Sequence, residues 1–190
     1  MTHKEKKILS YVIGVALGDG NLSNSNGRAV RLRVTCDTRY PRLTKEIISS
    51  LRLLLPANKV SVVRRAASYC DISVYSNKLT QWMPWAVGKG SKQKQLAHVP
   101  AWIRNDRRYA KECLRGLIQT DGSIYKDRGY LMINFCNNVR PLANDVYHMM
   151  QALGYSPTIT ETPARQRTKY TVRLARNVEE LIEDLNLHKT

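Results

Sequence analysis

Acidic residues are scarce in this chain: 15 Asp and Glu stand against 31 Lys and Arg, a formal charge of +16 with a pI near 10.0. A surplus of that size raises self-repulsion in the folded state unless a polyanion offsets it, so nucleic acid is the first expected partner. Cysteine is also sparse. Cys36, Cys70, Cys113 and Cys136 are scattered, with no CxxC pair and no histidines at zinc spacing, which excludes a disulfide framework and a structural zinc. Phe135 is the single phenylalanine, and the paired aromatics of an RNA-recognition sheet are missing, so stacking on single strands is not the favoured mode. Trp82, Trp85 and Trp102 read as packing residues. Long apolar runs are absent too. The charged start at 1–7 leads into only a short apolar stretch, so neither a membrane span nor a secretory signal is expected. The expected setting is intracellular, in a prokaryotic cytoplasm or an organelle.

What the chain does contain is a repeat. YVIGVALGDG at 11–20 has a partner in CLRGLIQTDG at 113–122, an offset of 102. After each copy come a polar turn, an alternating strand ending near Cys36 or Cys136, then Pro41 or Pro141 and an amphipathic helix. The first copy continues with strands at 59–65 and 70–75 and a helix at 78–87. The second continues with strands at 157–162 and 169–174 and a helix at 178–187. Each half therefore reads as αββαββα, which gives an α+β protein of two pseudo-symmetric half-domains at 1–90 and 107–190, with a linker at 91–106 that carries Pro100.

Each motif reads as a helix ended by glycine, expected here as a left-handed stop, so Asp19 and Asp121 fall at helix C-termini. A carboxylate is disfavoured at the negative end of a helix dipole, and two such helices side by side would bring two carboxylates together. A divalent cation resolves both conflicts. Gly14 and Gly18 stand four apart on one helical face, as do Gly116 and Thr120, which allows the backbones to approach closely. Carboxylates and terminal carbonyls are hard oxygen donors suited to magnesium, which can serve phosphodiester hydrolysis.

These residues resemble the LAGLIDADG homing endonuclease family in its single-chain, two-motif form, over essentially the whole chain. The resemblance implies motif helices paired at the domain interface and a saddle-shaped antiparallel sheet from each half in the major groove of double-stranded DNA. It implies a monomeric, metal-dependent endonuclease that breaks both strands, one per half-domain, with short 3′ overhangs, and a gene associated with intron homing. Asp19 and Asp121 match the family's catalytic, metal-binding acids, and Gly18 and Thr120 would add backbone carbonyls to the metal. Magnesium is the implied cofactor, with manganese substituting and calcium binding with little catalysis. The family's active-site lysine matches Lys94, with Lys92 as the alternative, and Lys189 in the second half. Cys36 and Cys136 stand where the family carries a polar residue, often Gln.

Alternation in the strands separates a core face from a polar one rich in Arg, Thr, Ser, Asn and Tyr, which suits the donor and acceptor code of the major groove. The expected DNA-contacting residues are Arg31, Arg33, Thr35, Arg64, Arg65, Ser73 and Tyr75 in the first half. In the second they are Tyr125, Lys126, Arg128, Asn134, Arg165, Arg167, Lys169 and Arg173. Two other readings use the same fold: a maturase that binds intron RNA, and a DNA-binding regulator that does not cut.

Overall fold

A capping box opens the chain: the Thr2 hydroxyl accepts from the Glu5 amide, and the Glu5 carboxylate accepts from the Thr2 amide at 2.7 Å. Two orphan donors are thereby satisfied and α1 (His3–Asp19) begins. The computed structural model describes residues 1–24, 27–65, 68–163 and 167–188; the expected site residues Arg165 and Lys189 lie outside these. After α1 come β1 (Gly20–Ser23), β2 (Arg31–Asp37), α2 (Pro41–Leu54), β3 (Ser61–Arg64), β4 (Tyr69–Tyr75) and α3 (Leu79–Trp82). A short α4 (Ala101–Arg104) precedes the second run: α5 (Arg107–Asp121), β5 (Gly122–Asp127), β6 (Tyr130–Asn137), α6 (Arg140–Ala152), β7 (Thr158–Thr162), β8 (Lys169–Leu174) and α7 (Val178–Leu185). Both halves are αββαββα. Each forms an antiparallel four-stranded sheet, in the orders β1-β2-β4-β3 and β5-β6-β8-β7.

The helix expected at 78–87 is cut short after Trp82. Pro84 disfavours helical geometry in the residue before it, and Met83 is extended at φ −83 and ψ 137. The last helix stops at Leu185, where Asn186 turns left-handed at φ 49.

α1 and α5 pack through their small residues. A Cβ added at Gly14 would collide with the Cys113 carbonyl, and one at Gly116 would lie 2.5 Å from the Tyr11 carbonyl oxygen. Backbone touches backbone, so every side chain of α1 from Leu9 to Leu17 is buried, between α5 on one side and the first half's sheet and α2 on the other. The motif-ending glycines are not left-handed stops. Gly20 (φ −79) and Gly122 (φ −85) are extended and begin β1 and β5. Glycine is needed there because a Cβ would lie 2.5 Å from the Ala16 Cα and 2.9 Å from the Ile118 Cα. The requirement is for close approach of chain to helix, not for positive φ.

Strand register sets what faces where. Leu32, Val34 and Cys36 of β2 and Ile72 and Val74 of β4 are buried on the core side, and Arg31, Arg33 and Thr35 alternate with them, opposite Tyr75, Ser73 and Asp71. In the second sheet Ile133, Phe135, Val172 and Leu174 form the core side, while Asn134 faces Arg173 and Cys136 faces Thr171. The halves do not superpose at one offset. Gly122 follows Gly20 by 102, but their strand partners Phe135 and Val34 differ by 101. The β5–β6 hairpin is a two-residue turn with Arg128 (φ 50) and Gly129 (φ 87) both left-handed, the mirror-type geometry that matches strand twist.

Candidate active site and nucleic-acid face

Helix α1 ends with carbonyl oxygens short of helical partners, Ala16 still accepting from the Gly20 amide. Lys92 supplies one: its ammonium donates to the carbonyls of Ala16 (3.2 Å), Leu17 (2.7 Å) and Gly18. The same ammonium lies 5.5 Å from the centre of the buried Trp85 ring. Burial pushes its pKa below the usual lysine range, against the opposing pull of Asp121 and Asp19. The loop that carries it is stapled by Gln95, whose side chain bonds the amide of Ala86 at 2.8 Å and the carbonyls of Ala86 and Gly90. Further along, the buried Asp145 carboxylate accepts from the Val99 amide at 2.8 Å and pairs with Arg104 at 3.2 Å. Lys94 is exposed and lies alongside Gly90, away from the motif. Lys92 therefore occupies the motif end.

Two concavities flank that end. One, of about 540 Å³, is lined by Gly18, Lys92, Asp121, Cys136 and Asn137, with Arg167 and Lys169 at its side. Asn137 donates to the Asp121 carboxylate at 2.7 Å. The other, of about 220 Å³, is lined by Asp19, Thr35, Cys36, Asp37, Arg39 and Thr120. Because the halves are offset by 101 in these strands, the counterpart of Asn137 is Cys36, and the counterpart of Cys136 is Thr35. The two cysteines are therefore not equivalent, contrary to expectation: Cys36 points to the core and its thiol is pushed up to about 12 by burial, whereas Cys136 faces outward and meets Thr171 Oγ1 at 3.4 Å. The companion of Asp121 is Asn137. It was hidden by the shorter hairpin, because a one-residue slip exchanges the faces of every side chain.

The donors at the motif ends are the Asp19 and Asp121 carboxylates and the Gly18 and Thr120 carbonyls. A Cβ at Gly18 would run into the Thr120 side chain and lie 3.5 Å from the Asp121 carboxyl carbon, so this glycine keeps the two helix ends together. Among the described residues no cluster of three His, Cys, Asp or Glu side chains could hold a metal. A cation here would have to complete its shell with backbone carbonyls, water or phosphate, as magnesium commonly does. That an ammonium already sits on three of the carbonyls shows the place to be cation-seeking, and the hard oxygen set fits a divalent ion.

Behind the motif lies a partly buried polar network. Tyr11 donates to Gln119 at 2.9 Å, Gln119 donates to Glu46 at 3.3 Å, and Arg115 pairs with Glu46 and Glu112 while stacking 4.4 Å over the Tyr11 ring. Burial, followed by the Glu46 charge, pushes the Tyr11 phenol well above its usual range, so it stays a donor.

Each outer sheet face presents a held arginine. In the first, Arg31 donates to Ser23 at 3.1 Å, and Asp71 receives Thr35 at 2.8 Å and Arg65 at 2.9 Å. In the second, Arg173 donates to Asn134 at 3.1 Å and Asn134 to the Tyr125 hydroxyl at 2.8 Å. Ser73 and Tyr75 share the first outer face, and Arg128 sits in the exposed β5–β6 turn. Arg64 and Lys126 are placed elsewhere: they pair with Cys70 and Leu131, so alternation sends them to the opposite side of their sheets. Trp85 and Trp82 pack in or against the core, and Trp102 meets Tyr109 edge-on at 5.4 Å.

Residues 108–187 match a family model described as a LAGLIDADG-like domain. A tRNA-splicing ligase RtcB from Methanopyrus kandleri is 26% identical over 188 residues, covering 87% of this chain and 19% of that protein. A DNA polymerase from Thermococcus sp. is 26% identical over 155 residues, covering 80% of this chain and 9% of that protein. The chain thus spans a fifth or less of the length of these curated relatives. The fold is that of the homing endonuclease I-DmoI: mesophilic variants of it align with a TM-score of 0.71 at 18% identity, over 99% of this chain and 100% of that one. I-DmoI in complex with DNA and Mn aligns at 0.68 and 19% identity, over 98% of each chain.

Proposed function

We propose that this chain is a LAGLIDADG protein and a site-specific endonuclease, which makes a divalent-metal-dependent double-strand break in a long duplex DNA target. The observation that carries the reading is the convergence of Asp19, Asp121 and Lys92 at the paired helix ends, between two sheets whose outer faces each present an arginine. I-DmoI, which shares the fold, forms a complex with DNA and Mn. The ligase and the polymerase differ in reaction by name, and the matched segment is 19% of one and 9% of the other, so neither activity is carried over to this chain.

In this reading residues 1–90 and 107–190 each serve one strand and 91–106 connect them within a monomer that works inside the cell. Asp19, Asp121 and the carbonyls of Gly18 and Thr120 would hold magnesium, with manganese able to replace it. When bound, the metal activates water and stabilises the departing oxygen. Lys92 places positive charge beside the scissile phosphate, as a fixed cation aimed where negative charge develops. Asn137 orients the Asp121 carboxylate, and Arg167 and Lys169 draw the phosphate backbone to that cleft. The outer strands read bases through Arg31, Arg33, Thr35, Arg65, Ser73, Tyr75, Tyr125, Asn134 and Arg173, with Arg128 at the sheet's end on phosphate.

Selection from a randomised duplex library tests this. A long two-part consensus, cut with magnesium and bound without efficient cutting in calcium, is the expected result. Selective binding with no cutting in any metal would overturn the nuclease reading and leave a regulator. Binding of intron RNA in preference to duplex would overturn it in favour of a maturase.

A further inference from the structure

On the outer face of the first sheet lies a carboxylate that ill suits a surface for a polyanion. Asp71 stands on β4 opposite Thr35, its side chain only 8% exposed. Its neighbours on that face are cations: Arg65 Nε at 2.9 Å and Arg33 Nη1 at 4.0 Å, with the Thr35 hydroxyl at 2.8 Å. Burial penalises its charge, but the bonds from Arg65 and Thr35 and the charges of Arg33 and Arg65 outweigh this and hold it below the usual carboxylate range. The corresponding place in the second sheet is Thr171, opposite Cys136. Arg173 there is held by a neutral relay through Asn134 and Tyr125.

The way Asp71 grips Arg65 matters. Among the described residues Arg65 is bound through Nε alone, which leaves its two terminal nitrogens for a bidentate contact to guanine O6 and N7. Arg33 is half-exposed, and the same carboxylate biases it without saturating it.

We propose that Asp71 is a positioning and specificity-determining residue, which aims Arg65 and Arg33 at guanine-bearing base pairs in the half-site under the first sheet. The proposal rests on the reading of the chain as a sequence-specific binder of duplex DNA. It separates affinity from specificity: the carboxylate repels phosphate, so it weakens binding to any duplex, yet it restricts the arginines to one arrangement.

The test measures binding of the full chain, in calcium, to its selected duplex and to single-base-pair variants across both half-sites. Wild type is compared with Asp71→Asn and with Asp71→Thr, which installs the residue found at the second sheet's equivalent place. The expected result for both variants is a loss of about tenfold in discrimination at guanine pairs under the first sheet. Discrimination under the second sheet should be unchanged, and affinity for unrelated duplex equal or higher. Full discrimination retained by both folded variants would overturn the proposal, as would an equal loss in both half-sites. If wild type itself yields no consensus, the DNA-binding reading has failed before the variants are compared.

Discussion

The cleft around Asp121 and the one around Asp19 are built from the same elements in the same order, yet they offer different chemistry. Asp121 has a hydrogen-bonding companion in Asn137 and a basic margin in Arg167 and Lys169, around about 540 Å³ that the lysine between the two ends, Lys92, also lines. Asp19 has a core-facing thiol at the companion's place and a smaller hollow of about 220 Å³, bordered by Asp37 and Arg39. Those last two are paired with each other at 2.6 Å. Pseudo-symmetry of the backbone thus does not carry over to the side chains. The single connector delivers its lysine once, between the two ends, and a hairpin shortened by one residue changes which side chain meets the acid. The halves are expected to work on their strands at unequal rates.

The largest effect would come from breaking what the halves share. Gly116→Ala places a methyl 2.5 Å from the Tyr11 carbonyl and should cost about 3 kcal/mol or more, since backbones cannot repack as side chains do. Urea denaturation reads it, and an unchanged midpoint would mean the halves do not depend on close helix contact. Next is the shared cation: Lys92→Met should slow cleavage by about a hundredfold, while Lys94→Met should leave single-turnover rates near wild type. Equal defects in both would make Lys92 one phosphate contact among many.

Exchanging the companions sharpens the contrast. Asn137→Ala should slow one strand by about tenfold, the scale seen when a group that orients a ligand is removed, whereas Cys36→Ala should change its strand by less than about twofold. Strand-labelled substrates separate the two, and equal losses would erase the proposed asymmetry. The smallest effect is chemical. With its thiol pushed up to about 12, Cys36 holds almost no thiolate at pH 8, and Cys70 and Cys113 are buried with it. Iodoacetamide should therefore label Cys136 first, as mapped by peptide mass; faster labelling of Cys36 would show that its strand does not hold it against the core.

Element order, the helix pair and the motif acids were legible because they rest on residue type at short range. Glycines four apart demand a close contact, and alternation marks strands whose two sides differ. Companion residues were not legible, because they depend on register. Counting back from Pro141 aligns Cys136 with Cys36, and only the pairing of Gly122 with Phe135 shows that one residue has gone from the hairpin. The choice between Lys92 and Lys94 turned on a loop held by Gln95, a long side chain whose three bonds leave no periodic trace. Nothing in the residue pattern sets Asp71 and Asp145 apart from other acids, because only the fold buries them against cations.

The most direct test is a strand-resolved time course of cleavage in magnesium, with each strand of the selected duplex labelled at one end and wild type run beside Asp19→Asn and Asp121→Asn. Wild type should give a transient nicked duplex, the strand served by the Asp121 cleft being cut first, and either variant should lose at least about a hundredfold in double-strand breaks, with binding in calcium retained. Full double-strand cleavage by the Asp121→Asn variant would rule out a metal site built on the two motif acids.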